Sequence, residues 1–366
     1  MESGVGVGKR VTSVDLDRVE SYQPLDPGGM LKLVSGLSEQ CRRAWEISSR
    51  VTLPAEYRNR ENIVAFGMGG SAIGADLVRL LVAPEMGIPF LVVRGYDIPH
   101  YVSDKTLAIV SSYSGNTEET ISAYEAARER GAKLVAITSG GRLAELSRKD
   151  GVPLIALPGG YSPRAALGYL FLAALSVVQK VGLIQDKSED VEEACDVLEQ
   201  LAEVLGPASP VDVNQSKRVA LEMFGRVPVI YGPAGFPAGA ALRWKCQVNE
   251  NAKAQAFWNE VPEMNHNEIV GWGGDESIQK GLSVILLRDK GEHPRVARRL
   301  EIVKSLVKGA SSVTEVQSIG RSELARLLSL IYVGDFASVY LAFLYGVDPT
   351  PVKVIDYLKL ELGKES

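Results

Sequence analysis

NIVAFGMGGSAIGADL, from Asn62 to Leu77, and LAIVSSYSGNTEETISAYEAARERG, from Leu107 to Gly131, decide how this chain reads. In each, an apolar run ends in small residues and a helical pattern begins at once. Ile63–Phe66 and Leu107–Val110 read as buried strands, and Ile73–Val82 and Glu118–Arg130 as the helices that follow them. Gly131 stands where a helix-terminating glycine belongs. Further strands are expected at Phe90–Val93, Leu134–Ile137 and Leu154–Leu157, with a helix at Leu143–Lys149. Short β-branched runs alternating with amphipathic helices are the pattern of a doubly wound parallel sheet, an α/β fold.

On the N-terminal side, residues 1–54 read as a helical extension with a helix at Leu31–Arg50. After the fifth strand come a helix at Ala165–Val181, a polar stretch at Gln185–Asp190 and a charged helix at Val191–Leu205. GPASPVDVNQS then has linker composition, which puts a domain boundary near Pro210. The second half repeats the theme. It has strands at Val227–Tyr231, Val284–Leu287 and Ser312–Val316, and helices at Ala240–Asn249, Val296–Val307 and Ser322–Leu344. A C-terminal helix starts from about Pro351. The expectation is two doubly wound domains of αβα sandwich type, 55–210 and 211–366.

The 366 residues carry a net charge of −5, with basic residues spread along the chain, which argues against a nucleic-acid partner. No apolar run reads as approaching the roughly 18 to 20 residues that span a bilayer, and MESGVGVGKR lacks the apolar centre of a signal peptide. A cytoplasmic protein with no membrane partner is expected. The cysteines, Cys41, Cys195 and Cys246, are far apart and odd in number. The histidines, His100, His266 and His293, show no metal-ligand spacing. Neither a disulfide framework nor a metal site is indicated, and no cofactor is expected.

Gly67, Gly69 and Gly70 in G-M-G-G-S-A come close to a dinucleotide fingerprint. That reading wants an acidic residue at the end of the second strand, where Arg94 stands instead. A tight structural turn is the other plain reading. The second loop is more specific. Ser112, Ser114 and Thr117 surround Gly115, and one helix cap accounts for only one of three hydroxyls. Helix N-termini carry roughly half a positive charge and exposed N–H groups, so two such loops point to a bound phosphate. With no Lys or Arg in the second loop, a monophosphate ester fits better than a triphosphate.

Elsewhere, Arg164 in Y-S-P-R precedes a helix and reads either as a fixed cation or as a surface residue. Glu250 falls at the C-terminal end of a helix, where the dipole disfavours a negative charge. It is either solvated or a base. His266, as an isolated histidine, reads either as structural or solvated, or as a functional residue whose tautomer Asn265 and Asn267 are able to fix. Lys353 and Lys359 lie on the terminal helix, where a lysine near the C-terminus ordinarily only offsets the dipole.

SSYSGNTEET resembles the sugar-phosphate signature of the SIS (sugar isomerase) domain family, with GMGGSAIG as its usual first loop. Taken with S-P-R, N-E-N-A-K, N-H-N-E and the terminal D-P-T-P-V-K-V-I-D-Y-L-K, the chain resembles the bifunctional phosphoglucose/phosphomannose isomerases. The resemblance covers roughly residues 55 to 366. It implies two SIS domains, a homodimer with a shared active site, and aldose–ketose isomerisation of sugar 6-phosphates. It assigns Gly70, Ser71, Ser112, Ser114 and Thr117 to the phosphate, and Arg164 to the enediolate. Glu250 becomes the base and His266, from the partner subunit, assists ring opening. Lys359 acts near the ring oxygen, with Lys353 as its close alternative. A non-catalytic sugar-phosphate module and another SIS phosphosugar or amino-sugar isomerase stay open beside this reading.

Overall fold

The computed structural model describes residues 14–364, whose contacts divide into two units. Unit A holds Leu33–Gln200 with Ile319–Ser329. Unit B holds 14–32, Leu201–Ser318 and 330–364. The stretch read as an N-terminal extension is divided between them at Lys32, and residues 1–13 of it lie outside the described residues.

Along the chain come α1 (Met30–Ser35), α2 (Leu37–Ser49), β1 (Asn62–Phe66), α3 (Gly69–Val82), β2 (Phe90–Val93) and β3 (Thr106–Ser111). They are followed by α4 (Glu118–Glu129), β4 (Lys133–Thr138), α5 (Gly141–Asp150), β5 (Leu154–Ala156), α6 (Leu167–Lys180) and α7 (Ser188–Leu205). The sheet of unit A is parallel throughout in the order β2-β1-β3-β4-β5. Its central strands carry unbroken apolar runs through their middles because both faces are covered; β3 is buried at every position. Register aligns Phe66 with Val93 on one side and Val110 on the other, so β1, β2 and β3 end together. The strand order reverses between β1 and β3, and ligands of such sheets bind in the crevice outside those carboxyl ends.

Three details depart from expectation. Gly36, a poor helix former, splits the single helix read at Leu31–Arg50 into α1 and α2. The end of the polar stretch, 188–190, is the first turn of α7, whose Glu189 and Asp190 suit the positive end of the dipole. Pro163–Ala165 forms a separate 3-10 turn before α6.

Unit B continues with α8 (Gln215–Met223), β6 (Val227–Pro233), α9 (Phe236–Ala252), β7 (Phe257–Val261), α10 (Glu276–Gln279) and β8 (Leu282–Arg288). It closes with α11 (Pro294–Leu306), β9 (Ser312–Gln317), the part of α12 (Glu323–Leu344) from Leu330 onward, and α13 (Lys353–Leu362). Its sheet is also parallel, in the order β7-β6-β8-β9. β7 is missing from the sequence reading because FWNEV is an edge strand with Phe257 exposed, so it carries no apolar run. The start of α8 hides in the stretch of linker composition: Asn214 caps it, accepting from the Lys217 N–H. The Lys217 ammonium is fully buried and donates to the carbonyls of Leu16, Pro207 and Ser209 at 2.6, 2.9 and 2.7 Å. These bonds hold the supposed linker in place.

α12 corrects the reading that no segment approaches membrane-spanning length. By length and composition it is able to cross a bilayer, but its apolar window is entirely buried inside the structure, as in a core helix. Gly334 lets α12 lie against α9, since a β-carbon there would stand 2.2 Å from the Trp244 ring. Farther along the same contact, Arg243 grips Asp335 through two hydrogen bonds of 3.0 and 2.6 Å, with both residues buried. Burial raises the Asp335 carboxyl above its usual range against the pull of that guanidinium.

Candidate functional site

The carboxyl edge of unit A gathers six of the expected residues. β1 ends at Phe66, and α3 begins at Gly69 with Met68 at its cap position and no side-chain cap hydrogen bond. β3 ends at Ser111, and α4 begins at Glu118 with Thr117 at its cap position, also without one. Two helices thus open at the crevice between β1 and β3 with N–H groups that no cap side chain takes up.

The loops are tied to one another. The Tyr113 N–H donates to Ser71 Oγ at 3.0 Å, joining the second loop to the first. Ser112 Oγ accepts the Gly115 N–H at 3.1 Å and lies 2.9 Å from Thr117 Oγ1. Ser114, at the exposed tip, accepts from the Asn116 N–H at 3.3 Å. Part of the hydroxyl content therefore builds the loop itself. Gly115 likewise has a structural reason. At φ +71 a β-carbon on it would sit 1.8 Å from the Gly140 carbonyl oxygen, so the close backbone approach it permits is to the β4–α5 loop. Gly70 serves a third junction, where a β-carbon would meet the Pro163 carbonyl at 2.8 Å. The first loop thereby lies against S-P-R, and Arg164 beside it is buried, which removes the surface-residue reading.

Sequence reasoning passed over Tyr113. Its phenol donates to the Pro158 carbonyl at 2.7 Å and accepts the Tyr161 N–H at 3.1 Å. Its backbone carbonyl accepts from Ser139. One buried ring thus ties the phosphate-type loop to the segment carrying Arg164, and burial pushes its hydroxyl pKa up. The available signal was a lone aromatic inside a run of polar and small residues. Arg94, the residue a nicotinamide phosphate would need, is paired with Asp76 instead.

In unit B the expected residues are spread out. α9 starts at the carboxyl edge of β6, where Gly232 touches Pro237, and runs back along the sheet. Glu250, in its last turn, therefore lies at the amino edge, half-buried. The side chain of Asn249 before it donates to the Ala254 carbonyl at 2.8 Å, and that of Asn251 after it to Ser338 Oγ at 2.9 Å. His266 follows β7 at the carboxyl edge and is exposed. The length of a five-residue strand, roughly 16 Å, separates the two edges. The asparagines expected to orient His266 are engaged elsewhere. Asn267 donates to Glu263 and accepts from the Glu268 N–H, while Asn265 turns to the Met264 sulfur.

Glu268 instead forms the centre of a local network, accepting from the Tyr231 hydroxyl and from Asn259 at 2.7 Å, with Trp272 donating to Tyr231 at 3.1 Å. Lys353 opens α13 and Lys359 lies in its last turn, both exposed, about 9 Å apart along the axis. A cavity of about 1000 Å³ at the amino edge, bordered by Phe224, Arg226, Lys253 and Lys280, includes none of the expected site residues.

Two family descriptions match the chain: SIS domain over residues 56–152, and bacterial phospho-glucose isomerase C-terminal SIS domain over 212–362. A bifunctional phosphoglucose/phosphomannose isomerase from Caldicellulosiruptor bescii is 46% identical over 336 residues, 92% of this chain and 99% of that protein. A D-glucosamine-6-phosphate 4-epimerase from Sulfolobus acidocaldarius is 31% identical, covering 81% of this chain and 93% of the relative. Among solved structures, a hypothetical protein from Thermus thermophilus superposes with a TM-score of 0.71 at 16% identity over 94% of each chain, a likeness of fold. These are SIS-type α/β units, and the chain belongs to the bifunctional phosphoglucose/phosphomannose isomerase family.

Proposed function

We propose that this chain interconverts fructose 6-phosphate with glucose 6-phosphate and mannose 6-phosphate through a cis-enediolate. The observation that carries this reading is the pair of helix starts without side-chain caps at the β1–β3 crevice, set among Gly70, Ser71, Ser112, Ser114 and Thr117. Exposed N–H groups at a helix N-terminus hold a phosphate monoester without needing a lysine. Arg164 supplies a positioned positive charge for the enediolate oxygens. Glu250 takes the proton from C2 and returns it to C1, one carboxylate serving one face of a planar intermediate. His266 and Lys359 assist opening of the cyclic hemiacetal. No step in this scheme calls for a metal or a redox cofactor.

The same reading includes a homodimer with shared sites. Glu250 and His266 lie at opposite edges of one sheet, so a site using both draws them from two copies. α13 supports this too, since Val354, Tyr357 and Leu358 share a face and are 74%, 60% and 56% exposed. Sugar phosphates are held inside cells, which makes the cytoplasm the place of work.

A second reading has one specific support, the 31% identical relative named as a glucosamine-6-phosphate epimerase. It predicts turnover of 2-amino sugar phosphates in place of the neutral ones. The test is conversion of fructose 6-phosphate in the presence of EDTA, with both aldose products measured, beside Glu250→Gln. Both products from the wild type and neither from the variant are expected. Binding without turnover would sink the enzyme reading, and glucose 6-phosphate alone would remove the mannose half.

A further inference from the structure

We infer that Lys253 is a positioning residue that clamps the turn carrying Glu250 to the segment leading into α13. The inference rests on the reading of Glu250 as the base.

The backbone is the first observation. Lys253 terminates α9 at φ +54, ψ 32, in the left-handed region. Glycine enters that region without penalty, and glycine is the usual residue one step past a helix. Among the described residues only Asn59 shares a positive φ without being glycine, and asparagine tolerates it better than lysine. A lysine here therefore carries a conformational cost, and strain of this kind collects where a side chain has a task.

The side chain supplies the second observation. The ammonium donates to the carbonyls of Glu250 at 2.8 Å, Asn251 at 3.2 Å and Pro349 at 2.8 Å. The first two are last-turn carbonyls that have no partner within a helix. Its charge also sits at the negative end of the α9 dipole. The third carbonyl belongs to the turn closed by Asp348 accepting from the Thr350 N–H at 2.8 Å, just before α13. Lys253 thus joins the root of Glu250 to the root of the helix bearing Lys359. With Asn249 and Asn251 anchored on either side, Glu250 lies in a turn restrained at four points. Glycine would satisfy the backbone and leave this bridge unmade.

That contrast gives the test. Lys253→Gly eases the backbone while removing the amine. Lys253→Met keeps the strain and the apolar stem, and Lys253→Arg keeps the charge and reach. Measurements are kcat and KM for fructose 6-phosphate, thermal unfolding, and hydrogen exchange of the α9 C-terminus and 347–353. For Lys253→Gly we expect kcat down about tenfold, KM within about twofold, Tm within about 2 °C, and faster exchange in both segments. Lys253→Met should lose a similar factor, and Lys253→Arg should recover at least half of the wild-type rate. Wild-type kcat in Lys253→Gly, or exchange confined to one segment, would overturn the clamp. Should the wild type turn over no sugar phosphate, the functional reading fails separately, and unchanged exchange in Lys253→Gly would still refute the bridge.

Discussion

The carboxyl edges of the two sheets share a topology and differ in chemistry. Both sheets reverse their strand order between their first and third strands in sequence, so both have a crevice of the kind that takes a ligand. In unit A the crevice is lined by glycines, hydroxyls and two helix starts without side-chain caps. In unit B, α9 also starts without a side-chain cap, behind Gly235, but α11 is capped by His293, which accepts the Arg295 N–H at 3.1 Å, and Pro294 removes another donor. Asp289 and Glu268 stand at that edge, each already bonded, Asp289 to Ser318 at 2.6 Å and Glu268 to Tyr231. Strand order offers a place for a ligand, and loop chemistry decides whether an anion is welcome. Under the proposed function the phosphate is assigned to unit A and the base, Glu250, belongs to unit B.

This division predicts different kinetic signatures. Glu250→Gln, a unit B change, should lower kcat by a factor of about 10³ or more with little change in KM. Gly115→Ala, in unit A, forces a β-carbon into the Gly140 carbonyl and should raise KM for fructose 6-phosphate by about 30-fold, with a smaller effect on kcat. Steady-state kinetics of both variants checks the contrast; exchanged signatures would break it.

Mixing inactive Glu250→Gln and His266→Ala chains should restore roughly a quarter of wild-type activity, because a heterodimer keeps one intact site. Mixtures as inactive as their parents would refute sharing. Tyr113→Phe leaves the Pro158 carbonyl and the Tyr161 N–H without their phenol partner in unit A. It should cost about 1–3 kcal/mol in denaturant unfolding, and severalfold in kcat through Arg164.

The smallest effect concerns Glu193 in unit A. Burial alone would raise its carboxyl, but the N–H groups of Arg321 and Ser322 and their side chains overcome this and hold it at about 2. A depressed carboxylate stabilises the fold above its unfolded pKa. That contribution fades as pH falls from 4.5 through about 2. Glu193→Gln should therefore lower Tm by about 2–4 °C at neutral pH, with the gap closing across that acid range. A gap independent of pH would mean that packing, and not charge, is what Glu193 contributes.

Local pattern alone revealed much of this molecule. Buried parallel strands announce themselves as unbroken β-branched runs, as at Leu107–Val110, because both faces are covered. Gly115 with Ser112, Ser114 and Thr117 marked the second loop because no ordinary cap needs that combination. Other features stayed hidden for lack of local pattern. FWNEV looks polar because an edge strand faces solvent, and α12, though legible as a helix, has a span-length apolar stretch that the reading missed and that the structure buries as core. Tyr113 and Lys253 gain their roles only from carbonyls distant in sequence, at Pro158 and Pro349.

Neighbours along the chain were enough to establish the α/β class, the positions of both phosphate-type loops and the residue types available for chemistry. Folding in three dimensions was needed to bury Arg164, to set Gly115 against Gly140, and to put Glu250 and His266 at opposite edges of one sheet. Those facts depend on which strands pair and which way a helix returns, and such long-range closure leaves no periodic trace in the residues themselves.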